Sequence, residues 1–347
     1  MTWSHVASER APARQALFAV TLSAACLLAC TASAQPVVDG CAKAPASPLV
    51  VNVRDKGVRG DGRTDDTEAF QAAINEVAGT GGTLFVPDGT YMLDATRQPR
   101  LSLGRDMTLR LSPGATLKVI PNSATHHDLL TISGVSNVIV EGGTLEGDRE
   151  RHLEKRGESG YGIHIRDGAA HVTIRSVTSK KMWGDGFFVD NAKDVSFCGV
   201  TADYNRRQGL SVIEADGLLV ANSVFSNTRG TAPMAGIDLE PNLDEELIKN
   251  VRIVSSKFLN NRGAGVLIAG RKGTRNISDV EISRNLFTGV LPIKIKYAPG
   301  VLDTAICRNR QIAPRTEPTG GLSAFAEPAE QVVLQSECGD PRLQIRR

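Results

Sequence analysis

From about residue 137 onward, short bursts of alternating apolar and polar positions return along the chain at a nearly fixed interval. One phrase reads glycine, apolar, any residue, apolar. It occurs as GIHI at Gly162, GFFV at Gly186, GLSV at Gly209, GIDL at Gly236 and GVLI at Gly265, at intervals of 24, 23, 27 and 29 residues. A further 27 residues on, PIKI at Pro292 keeps the alternation with proline in place of glycine. A second phrase follows each first one: NVIV at Asn137, HVTI at His171, DVSF at Asp194, GLLV at Gly217, NVRI at Asn250 and DVEI at Asp279. Alternation at period two marks a strand with one buried face. Two such strands per 23–29 residues, separated by Gly, Asn and Asp turns, make one coil of a solenoid whose strand edges only the next coil can satisfy. The pattern predicts an all-β parallel β-helix with rungs about 4.8 Å apart. A sandwich would need antiparallel hairpins at much shorter spacing.

Stacking the phrases turns them into columns. The first and third residues after each glycine are expected inside: Ile163 and Ile165, Phe187 and Val189, Leu210 and Val212, Ile237 and Leu239, Val266 and Ile268. The outward columns read His164, Phe188, Ser211, Asp238, Leu267, Lys294 and Arg166, Asp190, Ile213, Glu240, Ala269, Lys296. The position before the glycine holds Tyr161, Asp185, Gln208, Ala235 and Ala264. Strict alternation would bury it, and an unpaired carboxylate inside would be costly. It is therefore expected in the bend before alternation begins, with Tyr161 and Asp185 as rung neighbours flanking a groove.

An open solenoid end needs a cover. RTDDTEAFQAAINEVAG supplies a helix near 65–78, with Thr64 or Asp65 as N-cap, acids in the first turn, a stripe of Phe70, Ala73, Ile74 and Val77, and Gly79 as terminator. Beyond 310 the chain is Pro/Gly-rich and irregular, a tail or cap for the other end. At the N-terminus, Arg10 and Arg14 precede the apolar run ALFAVTLSAACLLAC and Ala32-Ser33-Ala34, which reads as a secretory signal peptide cut after Ala34. LLAC also resembles a lipobox, with lipid anchoring through Cys30 as the alternative. The organisation expected is a signal segment at 1–34, a linker at 35–48, the β-helix at 49–310 and the tail at 311–347, in a secreted or periplasmic protein. No other segment is long and apolar enough to span a membrane.

Composition adds two points. Few aromatics (5%) and 34 glycines suit a turn-rich β protein built from aliphatic rungs, and a net charge of +2 gives no argument for nucleic acid or an anionic membrane surface as partner. Four cysteines remain after the signal, Cys41, Cys198, Cys307 and Cys338, with three possible pairings. Cys307 with Cys338 is the favoured bridge, and Cys198 is expected as a small turn or core residue. None has zinc-type CxxC spacing.

Asn52 to Leu93, NVRDKGVRGDGRTDDTEAFQAAINEVAGTGGTLFVPDGTYML, closely resembles the entry module of the pectate-lyase-like right-handed β-helix superfamily. That superfamily includes polygalacturonase relatives, rhamnogalacturonan enzymes, alginate C5-epimerases and phage tailspikes. The resemblance runs over about 49–300 and implies the fold more specifically than the reaction. Against the polygalacturonase motifs, Asp185 of WGDG matches the first acid, but Arg207-Gln208 stands where an aspartate pair belongs and Met234-Ala235-Gly236 where the histidine motif belongs. These departures argue against ordinary polygalacturonase hydrolysis. The alginate epimerase layout is closer: YGIHIR keeps the tyrosine as Tyr161 and GDGF the aspartate as Asp185, while His164 replaces the family aspartate and Arg166 its histidine.

The candidate catalytic residues are Tyr161, His164, Arg166, Asp185 and Arg207. Abstracting the C5 proton of a uronate requires a group that neutralises the substrate carboxylate, a base and an acid. Arg166 or Arg207 fits the first role, His164 the second and Tyr161 the third, with Asp185 orienting them or hydrogen-bonding the substrate when protonated. Substrate-binding candidates are Trp183 as a sugar platform, Arg206, Asp238, Glu240, and Lys294 with Lys296 for a distal uronate. The charged insertion Asp148–Ser159 is expected over the groove. Hydrolysis is the rival: it needs two carboxyl groups about 5–5.5 Å or 6.5–9.5 Å apart, and Asp238 and Glu240, two apart on a strand, stand about 7 Å apart. No metal or other cofactor is expected, with calcium on these carboxylates as the alternative. Each of these polar residues also has an ordinary reading as part of a solvated face, and Arg206-Arg207 could simply pair with Asp203 or Glu214. The expected partner is a polysaccharide. A non-catalytic glycan-binding solenoid is the third reading.

Overall fold

The computed structural model describes Cys41, residues 47–98, 100–289 and 291–312, and Gln331–Val332. The expected signal segment with Cys30, most of the expected 35–48 linker, most of the expected tail and Cys338 lie outside these residues. The chain forms a right-handed parallel β-solenoid of about nine turns with one α-helix. Its strands make a 15-stranded and a 10-stranded sheet, and all described pairings are parallel except the last. Among the described residues no helix is long and apolar enough to cross a membrane.

Each coil has three faces, one more than the alternation shows. In the central coils the two phrases belong to single bent strands, Ser159–Arg175, Phe187–Cys198 and Leu210–Ala221, which run through the first corner. Farther along, the corner breaks the strand into Ile237–Leu239 and Ile248–Val254. The third face opens with five-residue strands such as Gly89–Leu93 and Ala115–Val119, and from Thr144–Glu146 onward it is made of three-residue strands such as Thr178–Lys180, Thr201–Asp203 and Val224–Ser226. A strand this short points few residues inward, Ser179, Ala202 and Phe225 at its centre, so it carries no alternation to read. Phe225, Phe258 and Phe287 stack in this column at 5.5 and 4.8 Å, an aromatic ladder inside the core.

The expected inward residues of all five glycine phrases are fully buried. The glycines themselves form a column in which backbones approach closely. A Cβ on Gly162 would come within 2.4 Å of the Gly186 carbonyl oxygen, and one on Gly186 within 2.7 Å of that of Gly209. The first residue of the second phrase is fixed by a turn: Asn137, His171, Asp194, Asn250 and Asp279 all have φ of 50–60°. Asn and Asp tolerate this left-handed conformation better than most residues.

The helix spans Thr67–Val77 and buries Phe70, Ala73, Ile74 and Val77, as the stripe requires. Asp66 occupies the N-cap position without capping. Its carboxylate accepts the N–H groups of Arg59 (2.8 Å) and Gly60 (2.9 Å), and Asp65 accepts the Thr67 N–H instead (3.0 Å). At the other end, Gln331–Val332 lies antiparallel on Ile293–Lys296 and covers part of its edge. Cys41 and Cys198 form a disulfide, so Cys198 is a bridge rather than a free core thiol. Cys307 is also disulfide-bonded, while its expected partner Cys338 lies outside the described residues.

Candidate active site at the bend between the short and long strands

The first outward column is observed in the expected order: His164, Phe188, Ser211, Asp238, Leu267 and Lys294 pair rung by rung. The second column is corrected at one rung. A register shift after Val189 pairs Asp190 with Glu214, and Ile213 instead packs with Tyr161 and Phe188. The residue before each glycine precedes the alternation. Because the glycine occupies the crowded inner position, the residue before it turns outward. Gly162 N–H donates to the Asp185 carbonyl (3.1 Å), which makes Tyr161 and Asp185 neighbours on successive rungs.

Asp185 is fully buried rather than lining an open groove. Its Oδ2 accepts Arg207 Nη1 and Ser211 Oγ, both at 2.9 Å, while Oδ1 has no hydrogen-bond partner. Burial raises its pKa to about 6 against the opposing pull of Arg207 and Ser211. Tyr161 stacks on Phe188 at 4.4 Å and meets His164 edge-on at 5.2 Å. Burial, with the Asp185 charge behind it, raises the phenol pKa well above its usual value.

His164 is buried, with Nδ1 3.3 Å from Asp128 Oδ2. Arg100 Nη1 lies 3.3 Å from the same carboxylate oxygen. Burial works to raise the Asp128 pKa, but His164 and Arg100 hold it below the ordinary carboxylate value. Sequence reasoning did not find Asp128 or Arg100. Leu129 stands where the other coils have glycine, so HHDLLTIS does not match the phrase, although Asp128 pairs with Tyr161 in the same column. The acid before an inward alternation, Leu130 and Ile132, was the available signal.

His126, Asp128 and His164 bring ligand atoms within 4.8 Å of one another, a set that suits a transition metal by donor type. Arg100 already supplies positive charge to that carboxylate, which disfavours a cation beside it. At the other carboxylate pair, burial first and then Glu240 raise the Asp238 pKa well above normal. Gln208 Nε2 donates to Asp238 Oδ2 at 2.7 Å. Asp238 is buried and one of its oxygens is taken by Gln208, so the pair lacks the dense set of free oxygens that calcium takes.

Arg166 is not drawn into the group. It is partly exposed and donates to Asp167 (2.9 Å), on a rung position with Asp190. Trp183 does not offer an open platform: His152 stacks on it at 4.0 Å and the Arg206 guanidinium lies over it at 3.9 Å. Arg207 binds Asp185 rather than Asp203 or Glu214, and Arg206 donates to the Gly157 carbonyl (2.9 Å). Lys294 and Lys296 are separated from Asp238 and Glu240 by the apolar Leu267 and Ala269. The insertion is anchored by buried Asp148, 2.8 Å from His152 Nδ1, and brings Glu158 within 4.0 Å of Arg207.

A fold of stacked coils with ionisable groups gathered on adjacent rungs defines a β-helix protein with a candidate catalytic bend. The family described as "Right handed beta helix region" matches residues 115–292, and the chain belongs to it. Residues 50–100 match the family "Rhamnogalacturonase A/epimerase, pectate lyase-like". The uncharacterized protein YclG of Bacillus subtilis is 28% identical over 272 residues, covering 66% of this chain and 46% of YclG. Mannuronan C5-epimerase AlgE1 of Azotobacter vinelandii is 28% identical over 207 residues, covering 48% of this chain and 14% of AlgE1. The chain thus spans less than half the length of these relatives. Among solved structures, tailspike gp49 of Acinetobacter baumannii bacteriophage Fri1, a capsular polysaccharide depolymerase, has a TM-score of 0.62 at 14% identity, covering 76% of this chain and 51% of that one. At that identity the likeness is one of fold.

Proposed function

We propose that the protein is an exported polysaccharide-active enzyme that abstracts the C5 proton of a uronate, as a lyase or a C5-epimerase. The observation that carries this reading is the joining of Tyr161, a His164–Asp128 pair and a buried Asp185–Arg207 pair on adjacent rungs. With its proton on Nδ1 facing Asp128, His164 offers Nε2 as the base for the C5 proton. The electron pair left at C5 delocalises into the substrate carboxylate, whose charge Arg207 offsets. In a lyase the C4–O bond then breaks, a C4=C5 double bond forms and the Tyr161 hydroxyl protonates the leaving oxygen. In an epimerase the same hydroxyl returns a proton to C5 from the opposite face. The match to a mannuronan C5-epimerase supports this class, and the Cys41–Cys198 disulfide supports an oxidising compartment.

Glycoside hydrolysis is the second reading, favoured by Asp238, a buried carboxyl whose pKa is raised by burial and by the neighbouring Glu240. Proton NMR of polymannuronate, polyguluronate and polygalacturonate after incubation with the protein separates the two. A vinylic signal or altered uronate stereochemistry is expected, and it should disappear in Tyr161→Phe and survive in Asp238→Asn. New saturated reducing ends that depend on Asp238 would replace this reading with hydrolysis. Unchanged spectra with measurable binding would leave a glycan-binding solenoid.

A further inference from the structure

At the corner leading from the short strands back to the long ones, successive coils place cations and aromatic rings together. Arg149 lies over the Tyr204 ring at 4.2 Å, and Arg229, one coil beyond Tyr204, lies over the same ring at 4.6 Å. Arg206 covers Trp183. Gly230 joins these groups: a Cβ there would fall 2.8 Å from Arg206 Cγ and 3.5 Å from Arg149 Nη2. Two guanidiniums on one ring repel each other, and stacking on an aromatic face returns only about 0.5–2 kcal/mol. Burial first, then Arg229 and Arg206, make it harder for Arg149 to stay charged.

A structure that gathers like charges normally offsets them with carboxylates, and among the described residues none is paired with Arg149, Arg206 or Arg229. The nearest acids reach the cluster only through space, Glu150 acting on Arg149 and Glu158 on Arg206, and their close partners lie elsewhere. Glu150 pairs with Lys181 at 2.7 Å. Asp203 accepts hydrogen bonds from Ser226 and Asn227. Glu158 faces Arg207. The backbone carbonyls of Tyr204 and Gly157 take one donor each from Arg149 and Arg206, which leaves further N–H groups on every guanidinium. Arg229 is exposed, so the cluster opens to solvent.

We infer that Arg149, Arg206 and Arg229 around Tyr204 form an anion-binding site for a carboxylate or sulfate group on a glycan chain. Guanidinium forks suit both groups, because each presents two oxygens to paired N–H donors. Arg206 is followed directly by Arg207, so a chain held at this corner extends toward the Asp185 rung. The site then acts as a distal subsite that selects charged over neutral chains. That the anion belongs to a glycan rests on the proposed function, whereas anion binding at the corner stands on the arginine cluster itself.

Titration calorimetry of the full chain with polymannuronate, dextran sulfate and neutral dextran tests the site, with Arg229→Gln, Arg229→Lys and Arg149→Gln as variants. Beyond its place over the Tyr204 ring, the exposed Arg229 side chain makes no hydrogen bond or ion pair among the described residues, and its backbone bond to Asn205 is kept in any substitution, so its replacement leaves folding intact. Loss of one charge-assisted contact is expected to weaken binding of a charged chain about tenfold at low salt. The difference between wild type and Arg229→Gln should close at high salt, and Arg229→Lys should recover most of it. Preference for polymannuronate over dextran sulfate identifies carboxylate as the anion, and the reverse identifies sulfate. Equal affinity of wild type and Arg229→Gln for both charged chains overturns the inference, as does an equal loss on neutral dextran. Weaker binding in Arg229→Gln without turnover in wild type would leave the anion site standing and remove the C5-abstraction reading.

Discussion

Asp185 holds a charge that its surroundings only partly support. Arg207 and Ser211 stabilise the carboxylate, yet full burial outweighs them and the pKa stands at about 6 against an ordinary 3.8. The native state therefore binds this proton more tightly than the unfolded chain does. Native stability falls as pH rises from about 4 through 6, and the penalty, on the order of 3 kcal/mol, is fully present only above the native pKa. Urea unfolding at stepped pH should show wild type losing stability over that window relative to Asp185→Asn; parallel curves would refute the assignment. In the proposed reaction the same ionisation governs chemistry, because the charged carboxylate would orient Arg207 toward a substrate carboxylate. Turnover should decline as pH drops through about 6, and Asp185→Asn should lose a hundredfold or more in kcat. A variant with wild-type kcat would remove Asp185 from the site.

At the scale of elements, what alternation encodes was legible and what conformation alone encodes was not. The inward columns, the capping helix stripe and the rung order from His164 to Lys294 follow from period-two and period-3.6 patterns, and each is observed. The third face escaped in the repeating coils because its strands there have three residues and no full alternation. The shift that pairs Asp190 with Glu214 escaped because a bulge changes register without changing composition. Asp128 escaped because Leu129 takes the place of the marker glycine. The Cys41–Cys198 bridge had no local signal either, since it joins residues 157 apart in sequence. It ties the segment at the N-terminal end to the coil that carries Asp185. Closing so long a loop restricts the unfolded chain, and chain-entropy reasoning assigns it about 5 kcal/mol, with measured native bridges at about 2–5. Cys41→Ser/Cys198→Ser should lower the urea midpoint accordingly. An unchanged midpoint would mean that the bridge constrains little that the rungs do not already hold.

In the whole molecule each coil of the described solenoid bonds chiefly to the coils beside it, so stability is transmitted by neighbour interfaces rather than through one shared centre. Those interfaces are unequal. The strands Ser159–Arg175, Phe187–Cys198 and Leu210–Ala221 run unbroken around the corner, whereas the later coils divide their ladder between Val266–Ala269 and Ile277–Ser283 and between Ile293–Lys296 and Thr304–Cys307. The candidate catalytic bend belongs to the long-strand coils, and the disulfide enters the middle one at Cys198. A site that depends on register between successive rungs gains from standing where adjacent coils are least free to separate. Amide hydrogen exchange reads this directly. The amides of Ile163, Val189 and Val212 should exchange slowest, and those of Ile295, Ile306 and Ile312 should exchange earlier and by local opening. Exchange at a single common rate across all coils would instead make the solenoid one cooperative unit. In that case the positioning of Tyr161, His164 and Asp185 would depend on the whole stack, and a destabilising substitution in the last coils, far from the bend, would reduce turnover as strongly as one beside it.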